Sequence, residues 1–217
     1  MSILIKNTRL KNSETDILII DDRIKEIGCD IHKSADTVVD GRDTAVIPSF
    51  INAHSHSAMT YFRGYGDDMN LMEWLQTKIW PNETRLTEEL VYLGARLACL
   101  EMIRSGITFF NDMYWYPKGV ARAVDEMGMR SAVNAVFIDM FDLERAKEQI
   151  AGNKRLFEEF NQYSNKVFMA LGPHAIYTVS EHSLKWAADF AKSNDLMLQI
   201  HLSETEQEVK DCQSTHG

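Results

Sequence analysis

The 217-residue chain carries 23 Lys and Arg against 32 Asp and Glu, a formal net charge of −9 with its seven histidines neutral. At 45% hydrophobic and 25% charged residues it has the composition of a globular protein with bulk for a sizeable core, not of a disordered chain. The acidic balance and the lack of any basic patch exclude a nucleic acid or an anionic membrane surface as the expected partner.

Cys29, Cys99 and Cys212 are odd in number, far apart and without C-x-x-C spacing, so they read as reduced thiols of a cytoplasmic protein. No apolar run approaches the ~18 residues of a membrane-spanning helix, and the N-terminus lacks the apolar core of a signal peptide. Residues 2–8 and 16–20 read as short strands, Asp21-Asp22 as a tight turn, and Arg23 to Gly28 as a half-buried strand. Residues 1–44 are therefore expected to form a small β segment without a helix. Residues 45–56, Ala-Val-Ile-Pro-Ser-Phe-Ile-Asn-Ala-His-Ser-His, read as an apolar strand ending in two histidines.

From there the texture becomes alternating. Thr87 is expected to cap a helix whose Leu90, Leu93, Leu97 and Leu100 keep helical spacing up to Ser105-Gly106. Strands are predicted at 107–111, 129–138, 167–171 and 196–202, and further helices at 118–128, 143–160 and from the Ser180 cap to Lys192. One strand and one helix per unit is the pattern of parallel β/α architecture, and about five units over residues 45–217 suggest a β/α barrel. A closed barrel has eight units and typically ~250 residues, so the barrel is expected to be incomplete. No G-x-G-x-x-G or G-x-x-x-x-G-K-[ST] follows a strand, which sets aside the common nucleotide-phosphate folds. Residues 57–86 form a long connection, expected to act as a lid. Its Trp74 and Trp80, like Tyr114-Trp115-Tyr116, suit either packing or the wall of a planar substrate.

Side chains two apart on a strand share a face, so His54 and His56 can aim both imidazoles at one ion or be an ordinary surface or core pair. In a β/α barrel the active site lies at the C-terminal strand ends. Four of the seven histidines fall there, namely His54, His56, His174 and His201, together with Asn111-Asp112 and Glu204. His54, His56 and His201 would supply three nitrogens to one divalent cation and leave a position for water. Each of them taken singly also fits a packed core histidine. Glu204, three residues beyond His201, is placed for proton transfer. His32, His182 and His216 read as surface residues.

The stretches Pro48-Ser-Phe-Ile-Asn-Ala-His54-Ser-His56-Ser-Ala-Met59, Trp80-Pro-Asn-Glu83-Thr-Arg-Leu86, Leu171-Gly-Pro-His174 and Ile200-His201-Leu-Ser-Glu204-Thr together resemble the amidohydrolase superfamily. They are most similar to its branch of methylthioadenosine/S-adenosylhomocysteine deaminases and triazine hydrolases. The resemblance runs along nearly the whole chain. It implies the N-terminal part of a metal-dependent (β/α)8 TIM-like barrel, preceded by a β-sandwich segment over 1–44. It further implies one divalent ion, zinc or iron, on His54, His56 and His201, with Glu204 passing a proton to a ring nitrogen. Glu83 and His174 match substrate-contacting positions.

The implied activity is hydrolytic deamination of an aminated heterocycle such as an adenosine derivative, a small-molecule substrate, by an enzyme expected to self-associate. Gly172-Pro173-His174 takes the place where two-metal relatives carry a modified lysine. Ala135 stands where adenosine-type deaminases carry an arginine, which weakens S-adenosylhomocysteine as a substrate. The family's later histidine and metal-binding aspartate are absent, so the chain is expected to be truncated. Two contrary readings follow: a catalytically incomplete fragment or pseudoenzyme, or a hydrolase of another C–N or C–Cl bond.

Overall fold

The computed structural model describes residues 1–217, which divide into two units, Met1–Ser49 and Phe50–Gly217. In the first, β1 (Ser2–Leu10), β2 (Ser13–Ile20) and β3 (Arg23–Gly28) form an antiparallel meander. The turn between β2 and β3 places Asp21 in the left-handed region at φ +55°, a conformation that Asp tolerates better than most side chains. β4 (Thr37–Asp40) and β5 (Ala45–Val46) both run parallel to β1. All five strands join one sheet, so the expected β-sandwich segment is a single layer here. The run 45–56 is correspondingly two elements rather than one. Ala45–Val46 pairs with β1, while Pro48, which has no N–H to give a ladder, separates it from the strand that opens the second unit.

That strand is β6 (Phe50–Ser55). The connection after it, expected as a lid, is largely helical. A 3₁₀ segment spans Ser57–Phe62, and α1 (Leu71–Trp74), a π turn over Leu75–Ile79 and α2 (Trp80–Glu83) follow one another without a break. Asn70 starts this rod by accepting the Met72 N–H at 3.1 Å. Then come α3 (Glu88–Arg104), β7 (Ile107–Tyr114), α4 (Pro117–Met127), β8 (Arg130–Phe137), α5 (Leu143–Glu159), β9 (Val167–Pro173), α6 (Glu181–Ser193), β10 (Met197–Leu198) and α7 (Glu206–His216).

The five strands β10-β9-β8-β7-β6 are parallel and ordered by sequence, each joined to the next through a helix, which is an arc of a β/α barrel. Two strand limits differ from expectation. β7 runs on to Tyr114, so Asn111 and Asp112 sit inside it rather than at its end. The fifth strand, expected over 196–202, pairs only at Met197–Leu198, with a single further bridge between Ala175 and His201. It has a partner on one edge alone, so few ladder bonds hold it extended.

Phe110, Phe137, Leu171, Val120 and Val133 form the centre of the core between sheet and helices. The expected caps are present: Thr87 accepts the Leu90 N–H at 3.2 Å and Ser180 accepts that of Ser183 at 3.3 Å. Gly128 closes α4 in the left-handed conformation at φ +69°. The leucine spacing of α3 signals a helix correctly but marks its outer face. Leu90, Leu93, Leu97 and Leu100 are exposed, whereas Val91, Ala95, Ala98, Cys99 and Met102 face the core. Gly94 also lies on the inner side, where a Cβ would come within 3.0 Å of Ala58.

A Cβ on Gly119 of α4 would lie 2.6 Å from the Glu88 carbonyl oxygen. Gly119→Ala is therefore expected to destabilise the fold by about 1–3 kcal/mol through overpacking, although alanine is the better helix former. Urea unfolding measures it, and an unchanged midpoint would show that the α3–α4 contact yields without cost. No helix is long and apolar enough to cross a membrane.

Candidate metal centre and substrate cavity

Strand alternation sorts the end of β6 into two faces. On one, the Ser55 hydroxyl donates to Asp112 Oδ1 at 3.1 Å, and the Ser57 N–H donates to the same oxygen at 2.6 Å. Asp112 is fully buried on β7, and burial pushes its carboxyl up to about 6 against the pull of these donors. On the other face lie His54 and His56, with ring centres 4.8 Å apart and planes at 87°. The ring of His201 approaches them to 5.0 and 5.3 Å.

One ligand atom from each of the three histidines falls within 4.8 Å of the others. His54 Nε2 and His201 Nε2 are 3.3 Å apart. Two nitrogens each 2.0–2.1 Å from one tetrahedral ion are separated by roughly 3.3 Å, so this pair has the spacing zinc requires. His56 Nδ1 meets the Met113 carbonyl, which can only accept, leaving Nε2 of that ring as its ligand atom. His201 Nδ1 is buried without a partner. Burial, then the neighbouring imidazoles, lower His201 to about 4 and keep it neutral, the form in which imidazole binds metal. The donor set fits a zinc-type divalent cation.

Nothing local in sequence makes this meeting. His201 is held by its backbone, whose N–H donates to the His174 carbonyl at 2.9 Å. His174 in turn sits with its ring 5.0 Å from that of His201 and its Nδ1 2.8 Å from Thr178 Oγ1. It too is lowered to about 4, mainly by burial and next by His56.

A cavity of about 400 Å³ opens beside His56, His174 and His201. Its polar lining is His56, Glu83, Tyr114, His174, Tyr177, Thr178, His201 and Glu204; Trp74, Trp80, Trp115, Met113, Ile138 and Met140 form much of the apolar wall, and no Lys or Arg lines it. Glu83, at the end of the α1–α2 rod, is fixed by the Trp115 indole N–H, which donates to its Oε2 at 3.1 Å. Trp74, Trp80, Tyr114 and Trp115 thus face the cavity, the wall alternative for these aromatics. Tyr116 instead donates its hydroxyl to the Leu86 carbonyl at 3.0 Å. Ala135 faces the helices, and Val136 of β8 and Ile138 just after it reach the cavity. His32, His182 and His216 are exposed, as their loop and helix positions imply.

Three further residues support the site. Glu208 is buried and accepts the Ser203 and Glu204 N–H groups at 3.0 and 2.8 Å, which anchors a turn where Ser203 adopts φ +56°. The Thr205-x-x-Glu208 spacing is a capping-box signal that was available in the sequence. Asp112 carries no such signal, because its partners lie across the sheet. Gln199 precedes His201 by two residues in an extended run, and its side chain spans the arc to β6. The amide Nε2 donates to the Ala53 carbonyl at 2.9 Å and Oε1 lies 3.1 Å from His54 Nδ1.

The profile of the amidohydrolase family matches residues 45–217. The chain is 45% identical over 219 residues to the 5-methylthioadenosine/S-adenosylhomocysteine deaminase 1 of Archaeoglobus fulgidus, covering 99% of this chain and 51% of that protein. It is 45% identical to the 5′-deoxyadenosine deaminase of Methanoregula boonei, covering 99% and 50%. Among solved structures, an adenosine deaminase from Xanthomonas campestris with bound zinc superposes with a TM-score of 0.89 at 29% identity, covering 99% of this chain and 52% of that one. The chain spans about half the length of the curated relatives it matches.

Proposed function

The chain belongs to the amidohydrolase family, and on that premise we propose that it carries the three-histidine part of the active site of a deaminase acting on an aminated heterocycle. The reading rests on one observation. His54, His56 and His201, drawn from the two ends of the parallel sheet, converge beside a cavity whose carboxylates are Glu83 and Glu204. His54, His56 and His201 would hold one divalent cation, zinc or iron, as three neutral imidazoles suit. Bound there, the ion supplies Lewis acidity that brings the ionisation of water towards neutral pH.

The net reaction replaces a ring amino group by a carbonyl oxygen from water and releases ammonia. Glu204 holds the proton delivered to the ring nitrogen, its backbone fixed by Glu208. Glu83, clamped by Trp115, accepts a hydrogen bond from the substrate, and neutral His174 contacts the substrate beside it. The aromatic and methionine wall excludes water and suits the faces of a planar ring. A wall without Lys or Arg supports an adenosine bearing an uncharged 5′ group, such as 5′-deoxyadenosine or methylthioadenosine, over one bearing a carboxylate. The three free cysteines support a cytoplasmic setting, the net charge of −9 speaks against nucleic acid as a partner, and the outward leucines of α3 support self-association.

Ammonia release by the zinc-loaded protein from a panel of aminated purines and triazines tests the proposal. Turnover of a 5′-substituted adenosine is expected, with Glu204→Gln reducing kcat by ~10²–10⁴-fold while zinc remains bound. Failure to bind zinc would overturn it, whereas bound zinc without ammonia from any member of the panel would favour the catalytically incomplete fragment.

A further inference from the structure

Gln199 touches no part of the substrate cavity, yet it makes two hydrogen bonds across the arc to residues 145 and 146 positions away. Its own N–H continues the parallel pairing by donating to the Leu171 carbonyl at 2.9 Å, which fixes where the side chain starts. The rest follows from donor and acceptor inventory. The Ala53 carbonyl can only accept, so the amide nitrogen of Gln199 must face it. The amide oxygen is then the atom 3.1 Å from His54 Nδ1, and an amide oxygen can only accept. The proton of that hydrogen bond therefore belongs to Nδ1, and His54 Nε2 keeps its lone pair directed at His201 Nε2, 3.3 Å away. His56 is fixed in the same sense by the Met113 carbonyl. For His56 the backbone sets the tautomer, whereas for His54 a side chain does.

We propose that Gln199 is a positioning residue that selects the Nδ1–H tautomer of His54 and ties β6 to the run carrying His201, so that the Nε2 lone pair of His54 faces the place where a cation would sit beside His201. The inference rests on the metal-site reading above for its purpose, but the tautomer itself is a property of the metal-free protein. An outer partner that orients a ligating histidine typically contributes 10–100-fold to metal affinity.

The test uses protein labelled with ¹⁵N-histidine, free of metal, in alkaline buffer where the imidazoles are neutral. Long-range ¹H–¹⁵N correlation spectra report which ring nitrogen carries the proton, and comparison with His54→Asn assigns the His54 signals. Cobalt(II) titration followed by visible absorption then gives the affinity. Wild type is expected to show His54 as Nδ1–H. Gln199→Leu is expected to give a mixture of tautomers at His54 alone, with cobalt affinity reduced by ~10–100-fold.

Gln199→Glu keeps an acceptor for Nδ1 while losing the donor to Ala53, and is expected to retain the tautomer. Circular dichroism of both variants separates this from general unfolding, and the glutamate variant carries the test if the leucine variant does not fold. An Nε2–H tautomer in wild type would overturn the proposal, as would Gln199→Leu with an unchanged tautomer and unchanged affinity. Wild type that holds the Nδ1–H tautomer but binds no cobalt would sink the metal-site reading and leave the selection of the tautomer by Gln199 standing.

Discussion

His201→Ala is expected to lower affinity for zinc or cobalt(II) by more than 100-fold, beyond the 10–100-fold typical of losing an outer partner. Of the three candidate ligands, His201 is the one contributed from the far end of the sheet. Without it, His54 and His56 are two donors on one strand end, too few to close a tetrahedral site. The same substitution is expected to leave the metal-free fold nearly intact. The backbone of His201, not its ring, makes the bridge to Ala175 and the bond to the His174 carbonyl, and ring Nδ1 has no partner to orphan. Cobalt titration paired with thermal unfolding of the apo form checks both halves. Retained affinity would place the ion elsewhere, and a collapse of the apo melting temperature would make His201 a structural residue.

Phe110→Ala is expected to cost about 3–5 kcal/mol, a large part of the 5–15 kcal/mol that a domain has. Phe110 is completely buried at the middle of β7, whose neighbours are β6 and β8, so its ring lies where sheet and helices meet. The cavity left behind is walled by two paired strands and packed helices, which limits collapse. Urea unfolding of the second unit measures it. A loss under 1 kcal/mol would mean that the core around β7 relaxes freely.

Much of the arc was legible because each element carries a local signal. Thr87 and Ser180 announce helix starts, Gly128 a helix end, and the β-branched and aromatic runs the strands between them. What sequence could not give was decided across the sheet. The leucine spacing of α3 marks a helix without telling which face is buried; that is decided by the approach of Gly119 at Glu88 and of Ala58 at Gly94, which no local pattern shows. Pro48 was visible, yet that Ala45–Val46 joins β1 depends on a pairing 36 residues back.

The site divides the same way. His54, His56, His201 and Glu204 could be singled out by residue type and strand position. Gln199, Asp112 and Glu208 act through hydrogen bonds whose partners no spacing rule identifies, apart from the capping box at Glu208. Ala135 shows the opposite failure, since a position compared by alignment faces the helices and leaves Val136 to meet the cavity.

The separation of His54 from His201, 147 positions along the chain, has a consequence for assembly. In the unfolded chain the two imidazoles are as good as strangers, because closing so long a loop carries an entropy that no pair of side chains repays alone. The neighbouring strands must first register, β6 on β7 and onward to β10, before the binding site exists. A cation that grips both rings then acts as a clasp between the first and last strands of the arc. Such a cation would bind the folded chain and have little hold on the unfolded one, so its affinity would be added to the stability of the whole arc.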